Sequence, residues 1–363
     1  MSAILYRSRI GLGGQVSEPP GRPARLAACA GACLLGCALI SPSFAQEGPA
    51  FEVARKLGGG VNILGYDGVW EGGVDAPFRQ RYFKLIHDVG FDHVRINLHA
   101  FKYMNSYNEI DERVLGRLDQ VLQHVVDSGL VPVVDEHDFI ICQRDPDDCG
   151  IKVLAFWRQL AARYAGRFPT AVFDLLNEPG GRMTQAWWNA FIPTVLRAVR
   201  DHDPHRTVVI AALNTDDPLQ LRALRLPDRD RNIIVTIHYY RPMEFTLQGA
   251  VWSAKFAGLH DIDWGSQADQ EQLLSDFEMT DAWAKANSRP VYLGEFGVYE
   301  GANMAARSRY TAFVARNAAR LGWAWAYWQF DHDFALFDSA REQWVCPILD
   351  ALIPHGCERR VRR

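Results

Sequence analysis

The chain has 363 residues, 48% of them apolar, 12% aromatic and 23% charged, with a formal charge of −4 at pH 7. This is too apolar for a disordered chain and, at a mean hydropathy of −0.15, too polar for a polytopic membrane protein. A pI near 6.3 argues against a nucleic-acid partner, which would call for a basic face.

Arg22 and Arg25 precede an apolar run over 26–40, and Ser43-Phe44-Ala45 follows. A positive region, a run of about 15 apolar or small residues and a small-x-small site form the pattern of a signal peptide, and the run is too short for a membrane span. Cleavage after Ala45 is expected, so residues 1–45 are read as the signal and 46–363 as one domain, secreted or periplasmic. Leu34-Leu35-Gly36-Cys37 is the weaker alternative, a loose lipoprotein box. Four Arg and Glu18 leave with residues 1–45, which takes the formal charge to −7. Cys29, Cys33 and Cys37 leave as well. The remaining Cys142, Cys149, Cys346 and Cys357 are an even set in an exported chain and read as two disulfides, with local pairing Cys142–Cys149 and Cys346–Cys357 chosen among three connectivities. None has the CxxC spacing of a zinc site.

Beyond the signal, short β-rich runs recur at 57–64, 93–98, 131–135, 171–177, 207–213, 233–239, 291–295 and 323–330. Between them the 3-and-4 spacing of amphipathic helices appears at 78–89, 112–127, 153–168, 185–200, 270–286 and 305–321, with a weaker segment after Asp217. Eight strands alternating with helices predict an α/β fold of the (β/α)8 TIM-barrel type. A doubly wound nucleotide-binding sheet is the fallback, but Gly58 to Gly60 precede Val61 instead of opening a helix, so no phosphate loop is present there. The basic end, Arg359 to Arg363, reads as a frayed tail.

In such a barrel the chemistry sits at the C-terminal strand ends. The polar residues there are Arg95, Asn97 and His99; Asp135, Glu136, His137 and Asp138; Asn177 and Glu178; His238 and Tyr240; Glu295; and Trp328, Gln329 and Asp331. Glu178 and Glu295 stand out because each ends an apolar run, and burying a carboxylate there is costly without a specific role. Two carboxylates across a sugar-sized cleft are the machinery of glycoside hydrolysis, one protonated and one ionised.

At these residues the chain resembles glycoside hydrolase family 5, the cellulase-type retaining β-glycanases. The matching features are Gly60-Val61-Asn62, Arg95, His137, Asn177-Glu178-Pro179, His238-x-Tyr240, Gly294-Glu295-Phe296-Gly297 and Trp328, in order along nearly the whole mature chain. The resemblance implies Glu178 as acid/base and Glu295 as the nucleophile forming a glycosyl-enzyme, with carboxyls about 5–5.5 Å apart. It further implies that Asn177 binds the sugar 2-hydroxyl and that Arg95 and Tyr240 orient Glu295. His137 and His238 would line the cleft, and Trp328 would be its stacking floor. No metal and no cofactor are expected. The expected partner is a β-linked polysaccharide or oligosaccharide, with endo-β-1,4-glucan first and mannan or β-1,3/mixed-linkage glucan second, cleaved by a monomer.

Asp138 departs from the family pattern, in which many relatives carry two histidines after the strand-3 aspartate, and this leaves one sugar contact open. Phe245, Trp252, Tyr66 and Trp70 are candidate sugar platforms weighed against core packing. Of the rival classes, a metal-dependent amidohydrolase lacks its His-x-His after strand 1, and a non-catalytic glycan-binding barrel would be expected to lose one glutamate.

Overall fold

The computed structural model of the chain describes residues 47–64, 78–215 and 217–361. The expected signal segment, its alternative lipid box, Tyr66 and Trp70 lie outside the described residues. Eight parallel strands follow one another around a closed barrel: β1 (Gly59–Ile63), β2 (His93–Leu98), β3 (Val131–Glu136), β4 (Val172–Asp174), β5 (Val208–Ala211), β6 (Ile233–Tyr239), β7 (Val291–Phe296) and β8 (Ala324–Tyr327). The circle closes where Gly60 of β1 pairs with Ala326 of β8. The expected (β/α)8 barrel is therefore the fold.

An unforeseen helix, α1 (Pro49–Leu57), comes first, and Leu57 ends it instead of opening a strand. Its Ala50, Ala54 and Leu57 pack with Val133, Val172, Val209, Ile234 and Tyr292. It thus closes the end of the barrel opposite the cleft. The outer helices include α2 (Arg81–Val89), α3 (Glu112–Asp127), α4 (Phe139–Arg144), α5 (Pro146–Tyr164) and α6 (Gln185–Arg200). They continue with α7 (Met243–Thr246), α8 (Gln267–Asn287), α9 (Met304–Arg320), α10 (Cys346–Leu352) and α11 (Gly356–Val361). Of the helices expected from periodicity, α3 and α6 have the expected bounds. The helix expected at 153–168 begins and ends earlier, because Asp145 caps it ahead of Pro146 and Gly166 turns the chain at φ +69°. The segment after Asp217 forms a single 3₁₀ stretch, Pro218–Ala223. The basic tail is helical as far as Val361. Both disulfides have the expected pairing, Cys142–Cys149 and Cys346–Cys357.

Alternation along a strand sends every second side chain into the barrel. Register then stacks the interior in layers. Asn62 lies opposite Arg95, Asn97 opposite Asp135, and Asp135 opposite Asp174, so a polar layer sits above the apolar floor. Among the described residues, no helix is long and apolar enough to cross a membrane.

Candidate active site

Arg95 is wholly buried at the centre of the polar layer. Its Nε donates to Asp174 at 2.8 Å, its Nη1 to Asn62 at 3.0 Å and to Glu295 Oε1 at 2.7 Å, and its Nη2 to Asn177 Oδ1 at 2.9 Å. Asp135 Oδ1 lies 3.0 Å from the same Nη2. A single guanidinium thus faces three carboxylates, a setting that suits the planar five-donor fork of arginine.

Glu295 is aimed by a local irregularity. Ile237 pairs with Leu293 but His238 pairs with Glu295, so Gly294 is an extra residue on β7. Such a bulge re-aims the side chain that follows it. Only glycine fits there: a Cβ would stand 2.6 Å from Thr236 Oγ1 and 3.1 Å from His238 Nε2. The Gly294 carbonyl accepts from Asn62 Nδ2 at 2.9 Å, and Tyr240 donates its hydroxyl to Glu295 Oε2 at 2.9 Å.

Glu178 stands across the cleft just beyond β4, with its backbone in the left-handed region at φ +37°. Gln143, from the loop closed by Cys142–Cys149, donates to the Glu178 carbonyl at 3.1 Å. His238 Nδ1 is 2.8 Å from Glu178 Oε1 and 3.6 Å from Glu295 Oε2. One oxygen of each carboxylate and a ring nitrogen of His238 all lie within 4.8 Å of one another. This matches the close approach of retaining glycosidases and not the roughly 6.5–9.5 Å of inverting ones. The trio has the ligand types of a cation site, but Arg95 already supplies positive charge at Glu295.

Burial pushes both carboxyls up, each to about 7, against the lowering effect of Arg95 on both and of His238 on Glu295. Two carboxylates this close share their titration. Arg95 and Tyr240 both donate to Glu295, which assigns the charge to Glu295 and leaves the proton to Glu178. Burial also lowers His238 to about 4, so its ring is neutral.

His137 places Nδ1 at 2.6 Å from Asp135 Oδ2 and lies flat against Trp328, with ring centroids 5.7 Å apart and planes within 10°. Trp328 is half-buried, as a cleft floor requires. All eight expected site residues therefore converge at one end of the barrel. Asp138 instead holds the scaffold, since its Oδ2 accepts from the Phe101 amide at 2.8 Å. Phe245 is core, buried beside Tyr310, which removes it as a sugar platform. Trp252 is 58% exposed, with its indole N–H donating to Asp333 at 3.0 Å. Two contributors were not foreseen, Asp174 and Gln143. The alternation in Val172-Phe173-Asp174 would have turned Asp174 inward, whereas nothing local marks Gln143.

Several solved structures are similar to this chain. Cel5A of Thermotoga maritima is 34% identical with a TM-score of 0.78, and the match covers 84% of this chain and 99% of that one. The cellulose synthase subunit Z of Clostridioides difficile is 31% identical with a TM-score of 0.77, covering 82% and 100%. Among curated proteins, Endoglucanase H of Acetivibrio thermocellus is 28% identical over 84% of this chain. Endoglucanase 3 of Fibrobacter succinogenes is 25% identical over 81%. The match spans only 34% and 52% of those two relatives' own lengths. The family model for cellulase, glycosyl hydrolase family 5, matches residues 55–333. The chain therefore belongs to glycosyl hydrolase family 5 and is a glycoside hydrolase.

Proposed function

We propose that the protein is an endo-β-1,4-glucanase that cleaves β-glucan with retention, with Glu295 as nucleophile and Glu178 as general acid and then base. The observation that carries this reading is the contrast between two facing carboxyls. Glu295 is held charged by Arg95 and Tyr240, while Glu178 is half-buried beside a neutral His238.

In the first step a Glu295 oxygen bonds to the anomeric carbon as the glycosidic C–O bond breaks, and the Glu178 proton passes to the leaving oxygen. In the second, Glu178 takes a proton from water, the water oxygen bonds to the same carbon, and the Glu295 ester is released. Asn177 has its Oδ1 committed to Arg95, which turns Nδ2 toward the sugar 2-hydroxyl. His137 has Nδ1 committed to Asp135, which leaves Nε2 for a sugar hydroxyl above the Trp328 floor.

The endoglucanase names of the relatives support the β-1,4-glucan substrate. One chain holds the whole constellation, which supports action as a monomer. Two disulfides support export of 46–363 after loss of 1–45, and N-terminal sequencing of the exported chain tests that boundary. Cel5A of T. maritima was solved in complex with mannotriose and also with cellobiose, so mannan is the second substrate to try.

The test is product analysis on soluble β-glucans and mannans with wild type, Glu178→Gln and Glu295→Gln. Rapid viscosity loss on β-1,4-glucan that falls by at least about 10²-fold in each variant is expected. Wild-type turnover in either variant overturns the roles, and activity confined to mannan replaces the substrate.

A further inference from the structure

The backbone direction at Glu178 is imposed from outside its own strand. Glu178 to Arg182 belongs to no strand or helix, and within it Glu178 sits at φ +37° and Gly181 at φ +62°. A glutamate in the left-handed region persists only where its surroundings over-determine it. Here the surroundings are the corner between α4 and α5. Gln143 Nε2 donates to the Glu178 carbonyl at 3.1 Å, the Arg182 amide donates to the Gln143 carbonyl at 2.8 Å, and Arg182 Nη1 donates to the Arg144 carbonyl at 3.0 Å. Gly181 lies flush against this corner, since a Cβ there would stand 2.6 Å from the Gln143 Cβ. A second loop grips the next carbonyl, as the Asn214 amide donates to Pro179 at 2.8 Å.

The corner needs support of its own. α4 has six residues, too few to be stable as an isolated helix, and Asp145 ends it and caps α5. Cys142, the neighbour of Gln143, is joined to Cys149 in the first turn of α5, and both cysteines are wholly buried. α5 in turn is tied to the strand that leads to Glu178, because the Trp157 indole N–H donates to the Leu175 carbonyl at 2.8 Å. The disulfide thus fixes Gln143 to a helix that shares its frame with β4. The nucleophile is built separately: Glu295 stands on β7 and is met by Arg95 and Tyr240, and the corner does not touch those three.

We propose that Gln143 is a positioning residue for the proton donor, and that the Cys142–Cys149 disulfide keeps it in place. The inference rests on the acid/base role proposed for Glu178. With the grip on its carbonyl removed, the segment relaxes toward an ordinary backbone conformation, and the Glu178 carboxyl turns away from the leaving oxygen and from His238 Nδ1, now 2.8 Å away. Attack by Glu295 is left intact. The loss therefore falls on protonation of the leaving group, which distinguishes it from a general loosening of the barrel.

The experiment compares phenyl β-cellobioside, whose departing oxygen needs a proton, with 2,4-dinitrophenyl β-cellobioside, whose phenolate leaves without one. Both place an aryl ring, and no sugar, on the leaving side. Gln143→Ala and the double variant Cys142→Ala with Cys149→Ala should each lose about tenfold or more in kcat/KM on the phenyl substrate, while staying within about twofold on the dinitrophenyl one. Removing the other disulfide, by Cys346→Ala with Cys357→Ala, should leave the ratio between the two substrates as in wild type. Equal losses on both substrates in Gln143→Ala overturn the proposal, as do unchanged values on both. A wild-type ratio in the Cys142 and Cys149 double variant overturns the part assigned to the disulfide, and Gln143→Ala tests the rest if that variant does not fold. Failure of the underlying role shows separately, as equal losses on the two substrates in Glu178→Gln.

Discussion

Arg95 donates from Nη1 to Glu295 Oε1 at 2.7 Å, with both side chains almost entirely out of water. The same guanidinium serves Asp174 and Asp135, so among the described residues it is the one cation of a layer that holds three carboxylates. Arg95→Met leaves those groups buried without a cation. It should cost about 3–5 kcal/mol of stability and at least about a hundredfold in kcat/KM. Arg95→Lys keeps the charge but loses the planar fork, so it should recover stability more than activity. Denaturant unfolding and kinetics on the same samples separate the two effects. Unchanged kinetics in Arg95→Met would remove Arg95 from the site.

The pH dependence follows from where one proton sits. In the proposed mechanism the reaction starts with Glu178 protonated and Glu295 ionised, and burial lifts the pair to about 7. Activity should fall above about pH 7 as the proton leaves Glu178. It should fall again at acid pH once Glu295 is protonated despite Arg95 and Tyr240. Both limbs belong to the pair as a unit. A kcat/KM profile between pH 4 and pH 9 checks this, and a plateau to pH 9 contradicts it.

The same shifts set a stability trend opposite to that of salt-bridged surface carboxylates. Glu178, Glu295 and Asp135 are raised to about 7 and Asp174 to about 6, from ordinary values of 3.8 to 4.5. In the window between those values and 7 the folded chain binds more protons than the unfolded one, so stability falls as pH rises through it. Glu178→Gln removes the group that holds the shared proton. It should therefore unfold later than wild type at pH 8, by the order of 1–3 kcal/mol, with the difference shrinking toward pH 4.5. Thermal unfolding at the two pH values measures it.

Gly294 makes room for the bulge that aims Glu295. Gly294→Ala should lower turnover about tenfold or more and destabilise by about 1–3 kcal/mol, as overpacking does. The nearest obstacle is Thr236 Oγ1, 2.6 Å from the added carbon. Adding Thr236→Ala should return part of the loss, and a double-mutant cycle reads that coupling. Additive losses would show that Thr236 does not carry the clash.

Glu178 and Glu295 were legible in the sequence because each is a carboxylate at the end of an apolar run, an arrangement that is costly without a purpose. The two disulfides were legible for a related reason, since each joins cysteines in one short stretch. Phe245 and Trp252 were not separable, because both are aromatic residues in the one segment between β6 and α8. One is core beside Tyr310, and the other is pinned outside by Asp333.

The order of strands and helices, and the barrel it implies, are determined by the sequence alone, because hydrophobic periodicity is a property of neighbouring residues. Who meets whom inside the barrel was decided only by the tertiary structure. Arg95 finds Glu295 across 200 residues of chain, and Asn62 finds the Gly294 carbonyl across 232. The meeting of Asp174 with Arg95, the brace from Gln143 to Glu178 and the α1 plug share this origin. Hydrogen bonding and burial depend on distance in space, which closing the barrel sets and local pattern does not.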